Sequence, residues 1–341
     1  MNRRWICSDV WMDILPSFDR AQLGLKMALI SDRFDILVDK HFDGKSELTI
    51  WRAIEIRKDK GPKAKLSVLI DGNLVEFPLP DHPLPNKIRL KNLRIPYIDH
   101  SVITFLHANK QIWDRMGTKL ELNILNVQPI WDVFIRQIWR VFATNIRHLS
   151  FIDGDVFDNL RSRTSPTILT DLNINSIEST DLFPDGIADD MPNATAGQAL
   201  SKWLHTQSKN GQPKRLHCYD YFDGLNLEWV NNLKEAFPRA TSSVSYIIRI
   251  DHVRTMPTDP FELVNERTKE KFTLEKVPHY YVVNWLLKRC PIEETVQWEN
   301  DENWDDNLNN VKFELLRGNR SIGPLSPPTE EKADESNQNV V

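Results

Sequence analysis

Between residues 87 and 250 the chain switches repeatedly between two hydrophobic periods, and this constrains the fold more than any other feature of the sequence. In "KLELNIL", Leu120, Leu122 and Ile124 alternate with polar residues, as a strand with one buried face requires. "PIWDVFIRQIWRVFATN" instead places Ile130, Val133, Phe134, Ile138, Val141 and Phe142 on one broad helical face. Strand-like "KIRLKNLRIPYI", "IRHLSFI", "PTILTDLNINSI", "KRLHCYDY" and "SSVSYIIRI" are separated by helix-like "HSVITFLHANKQIWDRM", "VFDNLRS", "AGQALSKWLHTQ" and "LEWVNNLKEAF". Strands begin every ~20 to 45 residues, usually with one helix between them, which predicts a mixed α/β (α+β) chain. A strand–helix repeat of this period suggests a leucine-rich-repeat-like body with its strands along one concave face. The chain lacks the Leu-x-x-Leu-x-Leu-x-x-Asn consensus, and a compact doubly wound sheet is the competing architecture.

The repeat body, taken as residues 86–256, is flanked by segments of other character. Residues 43–85 read as an opening β segment. "ELTIWRAIEIRK" is strand-like, and "AKLSVLI", Asp71-Gly72 and "NLVEFPL" read as a hairpin. The four prolines of "PLPDHPLPNK" predict a rigid connection. Between the strands lies a basic loop with Arg57, Lys58, Lys60, Lys63 and Lys65, read as a solvated face. Residues 257–320 read as a small β-rich segment. It holds a hairpin around "FEL" and "FTL", an apolar stretch "HYYVVNWLLKRCPI" that fits strand or helix, and "KFELLR" as a last strand. From Ser321 to the end the chain is polar and proline-rich, with too little apolar surface to offset the entropy of ordering.

Residues 1–42 differ again. Ser8 or Asp9 can cap a first helix that Pro16 and Ser17 should end, and Asp19 and Ser31 can cap two more. Three short apolar helices in ~40 residues bury too little surface to stand alone, so they need the rest of the chain or a partner. The residue order here resembles the F-box, the module by which substrate receptors of SCF ubiquitin ligases bind the Skp adaptor. The resemblance rests on Ile6-Cys7, Asp9, Val10, Ile14-Leu15, Phe18-Asp19, Leu23, Ala28-Leu29-Ile30-Ser31 and Arg33-Phe34. Cys7 stands where the family carries proline. With "HFDGKSELTIW" following, the chain is similar to the large F-box families expanded in nematodes. That resemblance implies a three-helix F-box, an Skp adaptor and through it a cullin, and a protein substrate held by the repeat body. The adaptor-facing side chains would be Ile6, Val10, Ile14, Leu15, Phe18 and Leu23.

Composition argues against other classes. The formal charge of −5 gives no general attraction to nucleic acid or anionic membrane. No apolar run reaches the ~18 residues of a membrane span, and "MNRRWICSDV" lacks the core of a signal peptide. Cys7, Cys218 and Cys290 are scattered, which predicts free thiols in the cytoplasm or nucleus. The sequons at Asn193 and Asn319 are read as chance matches. Neither a nucleophile elbow nor a glycine-rich phosphate loop occurs, and "DGDVFDN" lacks the central Gly and closing Glu of a calcium loop. His217 is the immediate neighbour of Cys218 and could not serve it on a strand, since adjacent side chains face opposite ways. The acidic run from Glu293 to Asp306 has no metal-selecting spacing. No enzyme activity, cofactor or metal is expected. An interaction scaffold that has lost the adaptor, or an unrecognised enzyme, are the alternatives.

Strand alternation also nominates a substrate surface. With Leu120, Leu122 and Ile124 inward, Glu121 and Asn123 face outward; with Leu216 and Cys218 inward, His217 and Tyr219 do. In "IRHLSFI" an inward set of Arg147, Leu149 and Phe151 leaves His148 and Ser150 outward. Glu121, Asn123, His148, His217 and Tyr219 are therefore expected on one surface.

Overall fold

The computed structural model describes residues 6–18, 22–43, 49–51, 54–58, 64–70, 73–80, 82–84, 88–209, 211–219, 228–251, 258–278, 283–293 and 308–326. Fifteen strands are present among them. The opening segment carries β1 (Thr49–Trp51), β2 (Ile54–Lys58), β3 (Ala64–Ile70), β4 (Asn73–Pro78), β5 (Ile88–Leu90) and β6 (Asn92–Ile95). The alternating stretch supplies β7 (Thr118–Ile124), β8 (Ile146–Phe151), β9 (Ser176–Thr180), β10 (Lys214–Tyr219) and β11 (Tyr246–Asp251). β12 (Phe261–Asn265), β13 (Glu270–Pro278), β14 (Val283–Pro291) and β15 (Asn309–Leu315) follow.

Thirteen strands form one sheet in the order β12-β13-β14-β11-β10-β9-β8-β7-β15-β6-β2-β3-β4, and β1 pairs with β5 apart from it. Its middle is parallel, from β11 to β2, and both margins are antiparallel. The chain is thus mixed α/β. From β7 to β11 sequence order equals spatial order. Right-handed crossovers that always advance the same way put their helices on one face of the sheet. A doubly wound fold would need a reversal of that order. Trp113, Phe134, Phe142, Phe157 and Trp203 enter the core from the helices against Leu120, Leu149, Ile177, Leu216 and Ile248 of the strands.

β15 was expected in the C-terminal β segment. It instead lies in the middle of the sheet, parallel to both β6 and β7. Both of its faces fit there. Val311, Phe313 and Leu315 are wholly buried, with Phe313 5.1 Å from Phe134 and 6.0 Å from Phe142 between ring centroids. Lys312 and Glu314 meet charged partners on the other side. Asn309 donates through Nδ2 to the Ile112 carbonyl at 2.8 Å and fixes the start of the strand.

Other local expectations change for identifiable reasons. "ELTIWRAIEIRK" makes two strands rather than one. Ile168 and Leu169, expected in a strand, turn into a short helix Ile168–Asp171. The Thr167 hydroxyl donates to Asp171 at 2.7 Å and stabilises that turn, so β9 starts only at Ser176. "HYYVVNWLLKRCPI" resolves as strand from Val283. Asp153 of the calcium-like motif caps a helix, accepting from Val156 N at 2.9 Å. The polar tail begins later than Ser321, which is wholly buried. Gly323 N donates to the Ile98 carbonyl at 2.7 Å, and His100 N to the Pro324 carbonyl at 2.9 Å. Asp19, the Asp71-Gly72 turn, Lys60, Lys63, the run 294–306 and residues 327–341 lie outside the described residues.

Residues 8–43 hold three helical stretches. These are Ser8–Ile14 running into Leu15–Ser17, then Leu23–Met27 into Ala28–Ile30, then Asp32–Asp43. Cys7, not Ser8, takes the first cap position and makes no side-chain cap bond. Trp11 meets Phe34 edge-on at 4.7 Å, and Arg33 donates to the Ile6 carbonyl at 2.6 Å, which ties the first helix to the third. Lys26 lies over the Phe77 ring of β4 at 5.2 Å.

Candidate interaction surfaces

The face of the sheet opposite the helices is polar, and strand register decides what it presents. One row runs Glu55, Arg94, Lys312, Glu121, Ser150, Glu178, His217 and Arg249 across eight neighbouring parallel strands. Charges of opposite sign meet along it. Arg94 pairs with Glu314 and, at 3.7 Å, with Glu55; Lys312 pairs with Glu121 and, at 3.2 Å, with Glu314. Lys119 Nζ is 2.8 Å from Glu178, and His148 Nε2 is 3.4 Å from it. Burial alone would raise the Glu178 carboxyl, but His148 and Lys119 outweigh it and hold the group well below the usual carboxylate range.

At the β10–β11 end the same logic gives a relay. His217 Nε2 lies 2.8 Å from Asp251 Oδ2, and Arg249 Nε donates to Asp251 Oδ1 at 2.9 Å. The Tyr219 hydroxyl is 3.1 Å from His217 Nδ1, and the two rings are 4.1 Å apart. Burial pushes the Asp251 carboxyl up, but hydrogen bonds from His217 and Arg249 more than reverse it. At the opposite end Leu69 and Leu74, register partners on β3 and β4, are half-exposed on this polar face. With Arg94 and Lys312 they border a hollow of about 410 Å³. Ordered charges beside aromatic and leucine side chains suit recognition of another protein's surface.

Register places all five nominated residues on this face. Glu121, Asn123, His217 and Tyr219 are partly exposed; His148 is only 3 % exposed and cannot touch a partner directly. Lys119 beside it on β7 and Glu178, 3.4 Å away on β9, close over it, and a register shift precedes it. Thr118 pairs with Ile146 but Lys119 with His148, so Arg147 has no partner on β7. Leu149 and Phe151 do face the core as expected; Arg147 does not belong to that set. Lys312, Glu314, Arg94 and Asp251 were missed. Their alternating strands were visible in the sequence, but their neighbours were not.

The adaptor-facing set divides. Leu15 and Leu23 are buried in the chain's own core, which corrects their placement at a partner surface. Ile14 and Phe18 are partly buried. Ile6 and Val10 stay 46 % and 48 % exposed, joined by Ile30 at 60 % and Ile36 at 67 %. Ile6 precedes the first helix, and Val10, Ile30 and Ile36 lie on the three helical stretches; large apolar side chains left in solvent mark a candidate interaction surface.

Cys218 faces the core and His217 the open face, as alternation requires. Burial drives the Cys218 thiol far above its ordinary value, so it is an unreactive core residue. Cys290 is also buried. No group of three or more potential metal ligands occurs among the described residues, and no helix among them is long and apolar enough to cross a membrane. Comparison with protein-family models, with curated proteins and with solved structures returned no match to this chain.

Proposed function

We propose that the chain is the substrate-recognition subunit of an SCF-type ubiquitin ligase, built as an F-box followed by a leucine-rich-repeat-like body. The N-terminal helices bind the Skp adaptor, and through it the cullin scaffold. The polar face of the sheet binds the protein to be modified. The observation that carries this reading is the exposed apolar set Ile6, Val10, Ile30 and Ile36 in a helical segment whose residue order resembles the F-box. Such a receptor acts by position. It raises the effective concentration of substrate at the ligase and needs no reactive group of its own. The one-sided helical layer supports a repeat body, because it leaves a long polar face for a macromolecule.

A scaffold that no longer engages the ligase is the second reading, favoured by Cys7 where the family carries proline. Capture of purified adaptor–cullin complex by the full chain separates the two. Retention with near-equal stoichiometry supports the receptor, and its absence supports the scaffold.

A further inference from the structure

A cavity of about 730 Å³ opens on the helix-covered side of the sheet, away from both surfaces above. Tyr246 and Arg289, register partners on β11 and β14, line it together with His205, which follows helix Ala196–Leu204. Arg289 is buried and spends Nη2 and Nε on Glu270, at 2.7 and 3.3 Å, and Nη2 again on the Ser242 carbonyl at 2.8 Å. His205 commits Nδ1 to the Ser201 carbonyl at 2.8 Å, leaving Nε2 uncommitted among the described residues. The Tyr246 side chain is 1 % exposed; its hydroxyl oxygen accepts from Arg289, which leaves the hydroxyl's own proton to donate. The Arg289 guanidinium, the Tyr246 hydroxyl proton and His205 Nε2 thus border one cavity from three elements.

Charge in this region is unbalanced. Glu270 neutralises Arg289. Lys214 on β10 is 4 % exposed and has no carboxylate partner among the described residues. Its ammonium donates to the Trp203 carbonyl and lies over the Trp203 ring at 5.2 Å. One positive charge is left over. Burial, together with the charges of Arg289 and Lys214, holds the His205 imidazole below its ordinary value. At the rim Arg239 and Glu235 offset one another.

We propose that this cavity binds a small molecule through a phosphate or carboxylate group seated on Arg289, Tyr246 and His205. The volume suits a small ligand. An anion there supplies the missing negative charge and accepts from the Arg289 guanidinium and the Tyr246 hydroxyl. With Nδ1 donating to Ser201, a neutral His205 offers Nε2 only as an acceptor, so it takes up a proton to donate to the anion. Binding is therefore coupled to proton uptake at His205 and weakens as pH rises.

The test is calorimetric titration of the full chain with sulfate, a tetrahedral phosphate mimic of constant charge, and separately with acetate, from about pH 6 to about pH 8. Saturable binding of either anion, tighter at the lower pH and accompanied by proton uptake, is expected; the preferred anion assigns the ligand to the phosphate or the carboxylate class. Tyr246→Phe should weaken binding about tenfold. His205→Gln should remove the pH dependence, and Lys214→Met should weaken binding without touching the cavity lining. Absence of saturable binding of both anions, or binding unchanged in all three variants with their melting temperatures intact, overturns the proposal.

Discussion

Replacing Lys214 by Met should stabilise the chain at neutral pH, and the gain should shrink as pH rises. Lys214 is buried with a carbonyl and a tryptophan ring as its partners, and desolvation lowers its ammonium from 10.5 to about 8. At ~1.4 kcal/mol per pH unit, that shift disfavours the charged side chain in the fold by about 3 kcal/mol. Because the folded value is the lower one, the unfolded chain binds more protons between pH 8 and 10.5. Wild-type stability should therefore rise with pH across that window. Met keeps the aliphatic stem and removes the charge, but leaves the Trp203 carbonyl without its donor, at a cost of about 1 kcal/mol. The net gain is about 2 kcal/mol at pH 7, or about 3 °C in Tm for a chain of this length. Thermal melts of both proteins from neutral to alkaline pH read it directly. A lower Tm for Lys214→Met at pH 7, or a difference that does not narrow above pH 8, would refute the reasoning.

Other consequences are equally concrete. Truncation after Ser326 should leave Tm unchanged, whereas truncation after Ile322 removes the Ile98–Gly323 and His100–Pro324 hydrogen bonds. At about 1 kcal/mol each, that lowers Tm by roughly 3 °C. Glu178 is held below its ordinary 4.5, so its contribution is present above that pH and lost as pH falls through the folded value. Urea midpoints measured on either side of pH 4.5 should accordingly fall less steeply in Glu178→Gln than in the wild type. Joint replacement of His217 and Tyr219 by Ala should reduce substrate capture at least about tenfold while adaptor retention is unchanged. Equal loss of both would mean that the polar face is not a separate surface.

The sequence carried most of the elements and few of their neighbours. Alternation in "KLELNIL" and "KRLHCYDY" placed β7 and β10 and assigned their inward side chains, because a half-buried strand writes its burial into a period of two. "KFELLR" was legible as a strand by the same rule. Nothing in its pattern says that its partners lie about 190 to 220 residues away, since parallel pairing needs no turn signal. Alternation assigned His148 to the correct face but could not show that Lys119 and Glu178 of the neighbouring strands close over it there. Leu15 and Leu23 were misjudged because periodicity shows that a helix face is apolar but not what covers it. The cavity beside Arg289 was not legible at all. Tyr246, His205 and Arg289 come from separate elements; the pairing of β11 with β14 joins two of them, and the His205 ring packs 5.9 Å from that of Tyr246.

The central claim is that the N-terminal helices dock on the Skp adaptor, and it rests on side chains that are exposed and can be changed without disturbing the core. Val10 is such a residue, so Val10→Asp places a charge at the contact and leaves Leu15 and Leu23 packed. Titration of purified adaptor into the full wild-type chain and into Val10→Asp, with equal melting temperatures as the control, is the direct measurement. The account predicts saturable one-to-one binding by the wild type, weakened at least about tenfold in the variant. Absence of binding by the wild type, or equal affinity of the two proteins, would contradict it.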